Sequence, residues 1–205
     1  MSFLAFLLTA TLLALTPGPG LAYVVSRTVA GGRAEGLASC VGTGIGGFFH
    51  VVAAAFGLSV LIANSAVAFG MVKYIGAAYL VYLGIRMLTG KTHDTAPARV
   101  RREGARKALV EGIVVEALNV KTALFFLTFL PQFVSPSEPF AAQIALLGSI
   151  CVVLNTLVDA AAVLVAGRLL KAGAAPAARA RFMTRTSGAV MVVLGMFLAL
   201  VRQKT

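Results

Sequence analysis

Leu15-Thr16-Pro17-Gly18-Pro19-Gly20 sits about halfway through the first long apolar stretch, between residues 3–15 and 21–25, which are almost wholly apolar. The stretch is long enough to cross a bilayer, yet its middle holds two prolines and two glycines. Proline lacks the backbone N–H, clashes with the preceding turn and pushes Thr16 out of the α region. A helix is therefore predicted to break here. Backbone left unpaired at membrane depth is tolerated only where protein buries it or it lines a cavity. The break thus predicts a binding site.

The rest of the chain agrees with a membrane setting. Of its 205 residues 59% are hydrophobic and 12% charged, with mean hydropathy +0.92. A soluble domain carries roughly 25% charged residues. The net charge of +11 does not point to nucleic acid, because the basic residues collect in the gaps between apolar runs, as membrane topology requires. The expected partners are the lipid bilayer and a small-molecule substrate.

Six apolar spans follow, at about 2–25, 37–62, 65–89, 109–132, 140–168 and 184–202, each near the ~20 residues a helix needs to cross. The fold class is an all-α integral membrane protein. The 1–15 stretch lacks the basic start and the cleavage site of a signal peptide, so it is expected to stay attached. Arg27 and Arg33, then Lys91 to Lys107, then Arg168 to Arg185 mark alternate connections, while the 63–72 turn is uncharged and the 133–139 loop carries only Glu138. The Lys/Arg bias puts the first set in the cytoplasm and both termini outside, against the opposing Arg202 and Lys204. Residues 90–108 read as a basic cytoplasmic loop between two three-span halves, 1–89 and 109–205, that form one membrane domain. Glu111 reads as facing head groups.

The halves resemble each other faintly, Gly76–Gly84 in span three against Gly188–Gly195 in span six. Span four is also interrupted mid-length, at Leu118-Asn119-Val120-Lys121-Thr122. Three spans per half would set the halves in opposite orientations, and inverted repeats with broken helices meeting at mid-depth are a common transporter plan. We therefore expect two inverted three-helix repeats, with the first and fourth helices broken.

Counting in from the span ends, Thr16–Gly20, His50, Asn119–Lys121 and Asp159 fall at similar depth on four spans. Ionisable groups there are costly and mark a substrate or ion path. Taken singly, His50 reads as a packing histidine and Asp159 as a partner for Lys121. Together they favour a site.

The same motifs carry a resemblance. Leu15–Gly20 after an apolar start is similar to the signature of the lysine exporter (LysE-type) translocator family. Gly42-Thr43-Gly44-Ile45-Gly46-Gly47 through His50, Tyr74–Leu80, Asn119–Phe126, Phe129–Phe133 and Val158-Asp159 continue it in order. The resemblance implies a bacterial inner-membrane exporter of amino acids or related small metabolites, driven by the proton-motive force. The family pattern in span four is Asn-Pro-Lys, whereas this chain has Val120 at the proline position. Valine keeps its N–H and can continue a helix, so the second break is expected to be shallower or absent.

A helix restarting near Gly20 would aim its N-terminal N–H groups, and about half a positive charge, at a substrate carboxylate. Thr16, Pro17, Gly18, Pro19, Gly20, Asn119, Lys121 and Asp159 are accordingly the predicted substrate-binding residues, with Lys121 for the carboxylate and Asp159 for the ammonium. His50, Glu116 and Asp159 are the candidate proton carriers. No cofactor and no resident metal are expected, and no enzyme. An intramembrane hydrolase built on Ser149 and His50 lacks a metal motif such as H-E-x-x-H. Two rival readings are export of a metal ion or other cation through Asp159, Glu116 and His50, and a thiol–disulfide electron relay through Cys40 and Cys151. The Gly42, Gly46 and Gly47 face suits either internal packing or a homodimer.

Overall fold

The computed structural model describes residues 3–58, 66–89, 102–135 and 137–171, with isolated positions between 189 and 200. The end of span two, the 90–101 part of the basic loop, most of the 169–183 connection and most of span six lie outside the described residues. No strand occurs among the described residues.

Helix α1 (Phe3–Leu15) ends where Pro17 removes the next donor, and the Thr16 hydroxyl turns back onto the Leu12 carbonyl at 2.6 Å. Gly18 is extended (φ −136°, ψ −174°) and Pro19 opens α2 (Pro19–Ala53). That is the first helical position, where the missing N–H costs nothing. The first break is therefore where the prolines put it.

Helix α2 contains a reversal. Gly32 sits at φ 76°, a left-handed conformation that suits glycine, and the helices on either side fold against each other. A side chain on Gly36 would run into the Thr28 hydroxyl, Val24 and Cys40 share one buried cluster, and Gly20 faces the Thr43 methyl. These pairs are symmetric about Gly32 to within a residue, so 19–31 and 33–53 form an antiparallel hairpin. The sequence reading placed a connection over 26–36. The helices instead run up to a single glycine, because Arg27 and Glu35 beside it are buried in ion pairs and need no exposed loop.

A π-helical turn (Ala54–Leu58) extends α2, and α3 (Ala66–Leu88) follows. Helix α4 (Ala105–Ala117) stops at Leu118, and α5 (Val120–Leu124) resumes at a bend of 42°. A π-helical turn (Phe125–Phe129), a 3₁₀ turn (Leu130–Phe133) and α6 (Phe140–Lys171) complete the described elements. The second break is thus a real bend despite Val120. Asn119 explains it: its extended backbone (φ −74°, ψ 102°) and its side chain, which accepts the Lys121 N–H at 3.1 Å, cap the new helix without a proline.

Packing fixes the directions. A Cβ on Gly46 would stand 2.6 Å from the Ile113 carbonyl, and one on Gly42 would strike the Leu109 carbonyl, so 33–53 and α4 lie parallel in backbone contact. Thr156, Val152 and Gly148 of α6 oppose Gly44, Gly47 and Val51 in reverse order, so α6 is antiparallel to them. Small residues let helices approach this closely in a membrane, where van der Waals packing replaces hydrophobic drive. Phe6, Phe125, Phe126 and Phe129 fill the centre of the main core. By length and apolar character alone, 140–166 and the bent pair 105–133 qualify as membrane spans among the described residues, as does 19–57, which the Gly32 reversal divides into two arms.

Candidate functional site

The two breaks face each other across one cavity of about 30 Å³, lined by Thr16, Gly18, Gly20, Glu116, Asn119, Lys121 and Asp159 among others. Each break leaves orphan groups, carbonyls on the outgoing helix and N–H groups on the restarting one. Side chains satisfy several of them: Lys121 the carbonyls of Leu13 and Thr16, His50 that of Glu116, and Asn119 the N–H of Lys121.

Lys121 comes from the start of α5 and is buried. Its Nζ donates to the Thr16 carbonyl at 2.6 Å and to the Leu13 carbonyl at 3.1 Å, so two of its three donors close the C-terminus of α1. Its Nζ lies 3.2 Å, and its last two stem carbons 3.3 Å, from where a Cβ on Gly18 would stand, so glycine there leaves room for the lysine. The sequence reading gave this ammonium to a substrate carboxylate. In the structure it is a cation at the negative end of a helix dipole.

Glu116, one turn before the second break, is held by neutral donors. Asn119 Nδ2 reaches its Oε2 at 3.0 Å and the Thr122 hydroxyl its Oε1 at 2.7 Å. The same Oε2 lies against Gly20, where any larger residue would collide with it. The carboxylate therefore sits at two helix starts at once, those of α2 and α5. His50 lies nearby in a different role. Its Nε2 donates to the Glu116 carbonyl at 2.8 Å, and its ring borders a second, apolar cavity of about 100 Å³ with Phe126 and Ala123.

Asp159 reaches the cavity from α6. The Thr43 hydroxyl donates to its Oδ2 at 2.8 Å, with the Cys40 carbonyl as that hydroxyl's alternative acceptor at 2.9 Å. Asn155 and Thr156, one turn earlier on the same face, line the wall beside it. Sequence reasoning missed Thr43, Asn155 and Thr156. The signal was present as a polar stripe, 155, 156 and 159, on an otherwise apolar helix. Pro17 and Pro19 shape the break without lining the cavity.

The rival readings fare differently. Cys40 and Cys151 are buried in separate apolar clusters, the Cys40 thiol directed at the Thr156 carbonyl. Among the described residues no three His, Cys, Asp or Glu groups converge to hold a metal ion.

A second charged cluster lies about 10 Å further along the same helices, at ~1.5 Å per residue from Gly20 to Arg27. The Arg27 guanidinium bonds Glu103 at 2.7 Å and also Glu111, with Glu35 3.9 Å away. Tyr23 accepts from Arg27 Nε at 3.0 Å, and Lys107 reaches Glu103 at 3.0 Å. Glu35 Oε1 accepts the N–H groups of Glu103 and Gly104 at 3.0 and 2.8 Å. Arg27 and then Lys107 hold the Glu103 carboxyl below its ordinary value. The sequence reading took Arg27 as a loop charge and gave Glu111 to head groups. The Gly32 hairpin carries both into one network instead.

The model of the LysE type translocator family matches residues 11–202. The chain is 31% identical over 197 residues, 96% of each chain, to an uncharacterized membrane protein of Vibrio cholerae. It is 32% identical over 154 residues, 75% of each chain, to a homoserine/homoserine lactone efflux protein of Salmonella typhi. It is 30% identical over 135 residues to a leucine efflux protein of Klebsiella pneumoniae, covering 65% of this chain and 64% of that one. No solved structure matches it.

Proposed function

The chain belongs to the LysE type translocator family, and from that premise we propose that it is a secondary exporter of amino acids or closely related small metabolites in the bacterial inner membrane, coupled to the proton-motive force. Its six spans form two inverted three-helix halves with both termini outside. The substrate's carboxylate faces the restarting end of α2, and its ammonium faces Asp159.

One observation carries this reading: two interrupted helices meet, break against break, around one cavity lined by ionisable groups of both signs. Such a site suits a zwitterion, because helix starts favour a carboxylate and a buried carboxylate favours an ammonium. The cavity is too small for an amino acid, since ligand pockets run to roughly 300 Å³ or more. Transport then requires the halves to rock apart on alternate sides and widen it. The efflux proteins of Salmonella and Klebsiella make homoserine and leucine the first substrates to try.

The test is efflux of labelled L-homoserine, L-leucine and a wider amino-acid panel from cells with and without the protein. Faster loss of at least one amino acid, abolished by a protonophore, supports the proposal. Efflux of none, with metal-stimulated flux in proteoliposomes, would replace it with cation export. For the orientation, a cysteine at Ser137, in a background lacking Cys40 and Cys151, should react with an impermeant thiol reagent outside intact cells.

A further inference from the structure

We propose that Asp159 alone exchanges the coupling proton, by trading it directly for the substrate's ammonium group. The inference rests on the exporter reading above and assigns a role that reading leaves open among His50, Glu116 and Asp159.

The argument is one of sign. An exporter that draws on an inward proton gradient must exchange, so proton and substrate have to exclude each other from the protein. A proton on Glu116 removes a negative charge beside the start of α2, where the substrate carboxylate goes, and so favours substrate. A proton on His50, which touches the Glu116 carbonyl, or on Lys121, which closes α1, adds positive charge near that carboxylate and again favours substrate. Any of these would make proton and substrate travel together, in the wrong sense for export. A carboxylate that meets the ammonium has the opposite sign, because one site takes either the proton or the ammonium.

Geometry selects the same residue. Glu116 has both oxygens engaged, by Asn119 and Thr122, and its Oε2 packs against Gly20 of the first break. His50 borders the apolar second cavity. Asp159 lines the substrate cavity and is held by one hydroxyl, Thr43, which has the Cys40 carbonyl to turn to. The titratable groups facing Asp159 are Cys40 on α2, Glu116 at the end of α4 and Lys121 on α5. The step balances simply. The Asp159 carboxylic acid loses its proton to solvent, the ionised carboxylate takes the substrate's ammonium, and no covalent bond to substrate forms. One proton is exchanged per zwitterion, so each cycle moves one positive charge inward.

The experiment uses the purified full chain in weakly buffered detergent, with L-homoserine as probe, binding read by calorimetry and proton release by an indicator dye. Wild type should release about one proton per bound homoserine at acidic pH, fading as pH rises, with affinity falling about tenfold per pH unit on the acid side. The deaminated analogue of homoserine should release none. Glu116→Gln and His50→Gln should still release protons wherever they bind, and Asp159→Asn should not. Should Asp159→Asn bind nothing, Thr43→Val decides, since loss of the carboxylate's hydroxyl donor should move the release profile to higher pH. Release that survives in Asp159→Asn, that disappears in Glu116→Gln, or that keeps its pH profile in Thr43→Val overturns the assignment. A panel in which no amino acid is effluxed breaks the parent reading instead; efflux without proton release breaks only this one.

Discussion

The two charged clusters of this chain both lie along α2 and α4 and hold their charges in opposite ways. Near the Gly32 turn, cations meet anions directly: Arg27 bonds Glu103 and Glu111, and Lys107 adds a second cation. At the breaks, Glu116, Lys121 and Asp159 are each held by neutral groups, and among the described residues no ion pair within 4.0 Å joins them. Charges that cancel each other are fixed, since parting them leaves buried charge unpaired. Charges held by carbonyls, amides and hydroxyls keep their fields available to a passing ion. The first arrangement suits structure and the second suits traffic.

If that contrast is right, damage to the two clusters should read out differently. Arg27→Met should give the largest effect, about 3 kcal/mol of lost stability, toward the low end for a broken buried pair because Glu103 and Glu111 are about a third exposed. A lowered melting temperature in detergent and poor membrane yield would show it. An unchanged melting temperature would break the comparison on its structural side. Next comes the double change Pro17→Ala with Pro19→Ala. Restoring N–H groups and helix propensity across 16–19 should close the first break, leaving melting temperature and membrane abundance near wild type. Efflux per unit protein should fall about tenfold or more. Normal export by this variant would remove the half-helix site.

Val120→Pro sharpens the same side with a small effect. Position 120 opens α5 behind the Asn119 cap, where proline fits. Stability should stay within about 0.5 kcal/mol of wild type and efflux should be unchanged. A large loss would mean that the bend depends on the valine. The smallest expected effect is the pH dependence of the outer cluster. The Glu103 carboxyl is held below its ordinary value in the folded protein, first by Arg27 and then by Lys107. Its contribution is therefore present above the unfolded-state value and is lost as pH falls through the folded one. Melting curves should show an acid limb that is shallower in Glu103→Gln, because the neutral plateau drops slightly while the acid end stays at the wild-type value.

How much of this was legible in the sequence follows the same division. Pro17 and Pro19 announce their break, because proline acts through its own covalent geometry. The second break is less legible. Its cause is a side-chain cap at Asn119, and removing the family's proline looked like removing the bend. Depth counting placed Thr16–Gly20, Asn119, Lys121 and Asp159 together, and all of these except Pro17 and Pro19 line one cavity. Counting depth cannot say which way a side chain points. That is why His50 lies at the right level in the wrong cavity, and why Lys121 serves the carbonyls of α1. Arg27 and Glu111 were the least legible, since only a hairpin tight enough to turn on Gly32 brings them together.

The backbone contact through Gly42, Gly46 and Gly112 has a consequence for anyone mutating this protein in bulk. A saturation library across 39–49 should give a fitness map banded at helical spacing. Gly42 and Gly46 would be empty columns, since even alanine there meets carbonyl oxygens of α4. Their immediate neighbours Val41 and Ile45, like Phe49 a turn further on, point outward at 52%, 42% and 57% exposure, so those columns should fill with almost any apolar residue. Tolerance and lethality would alternate within a single turn of helix.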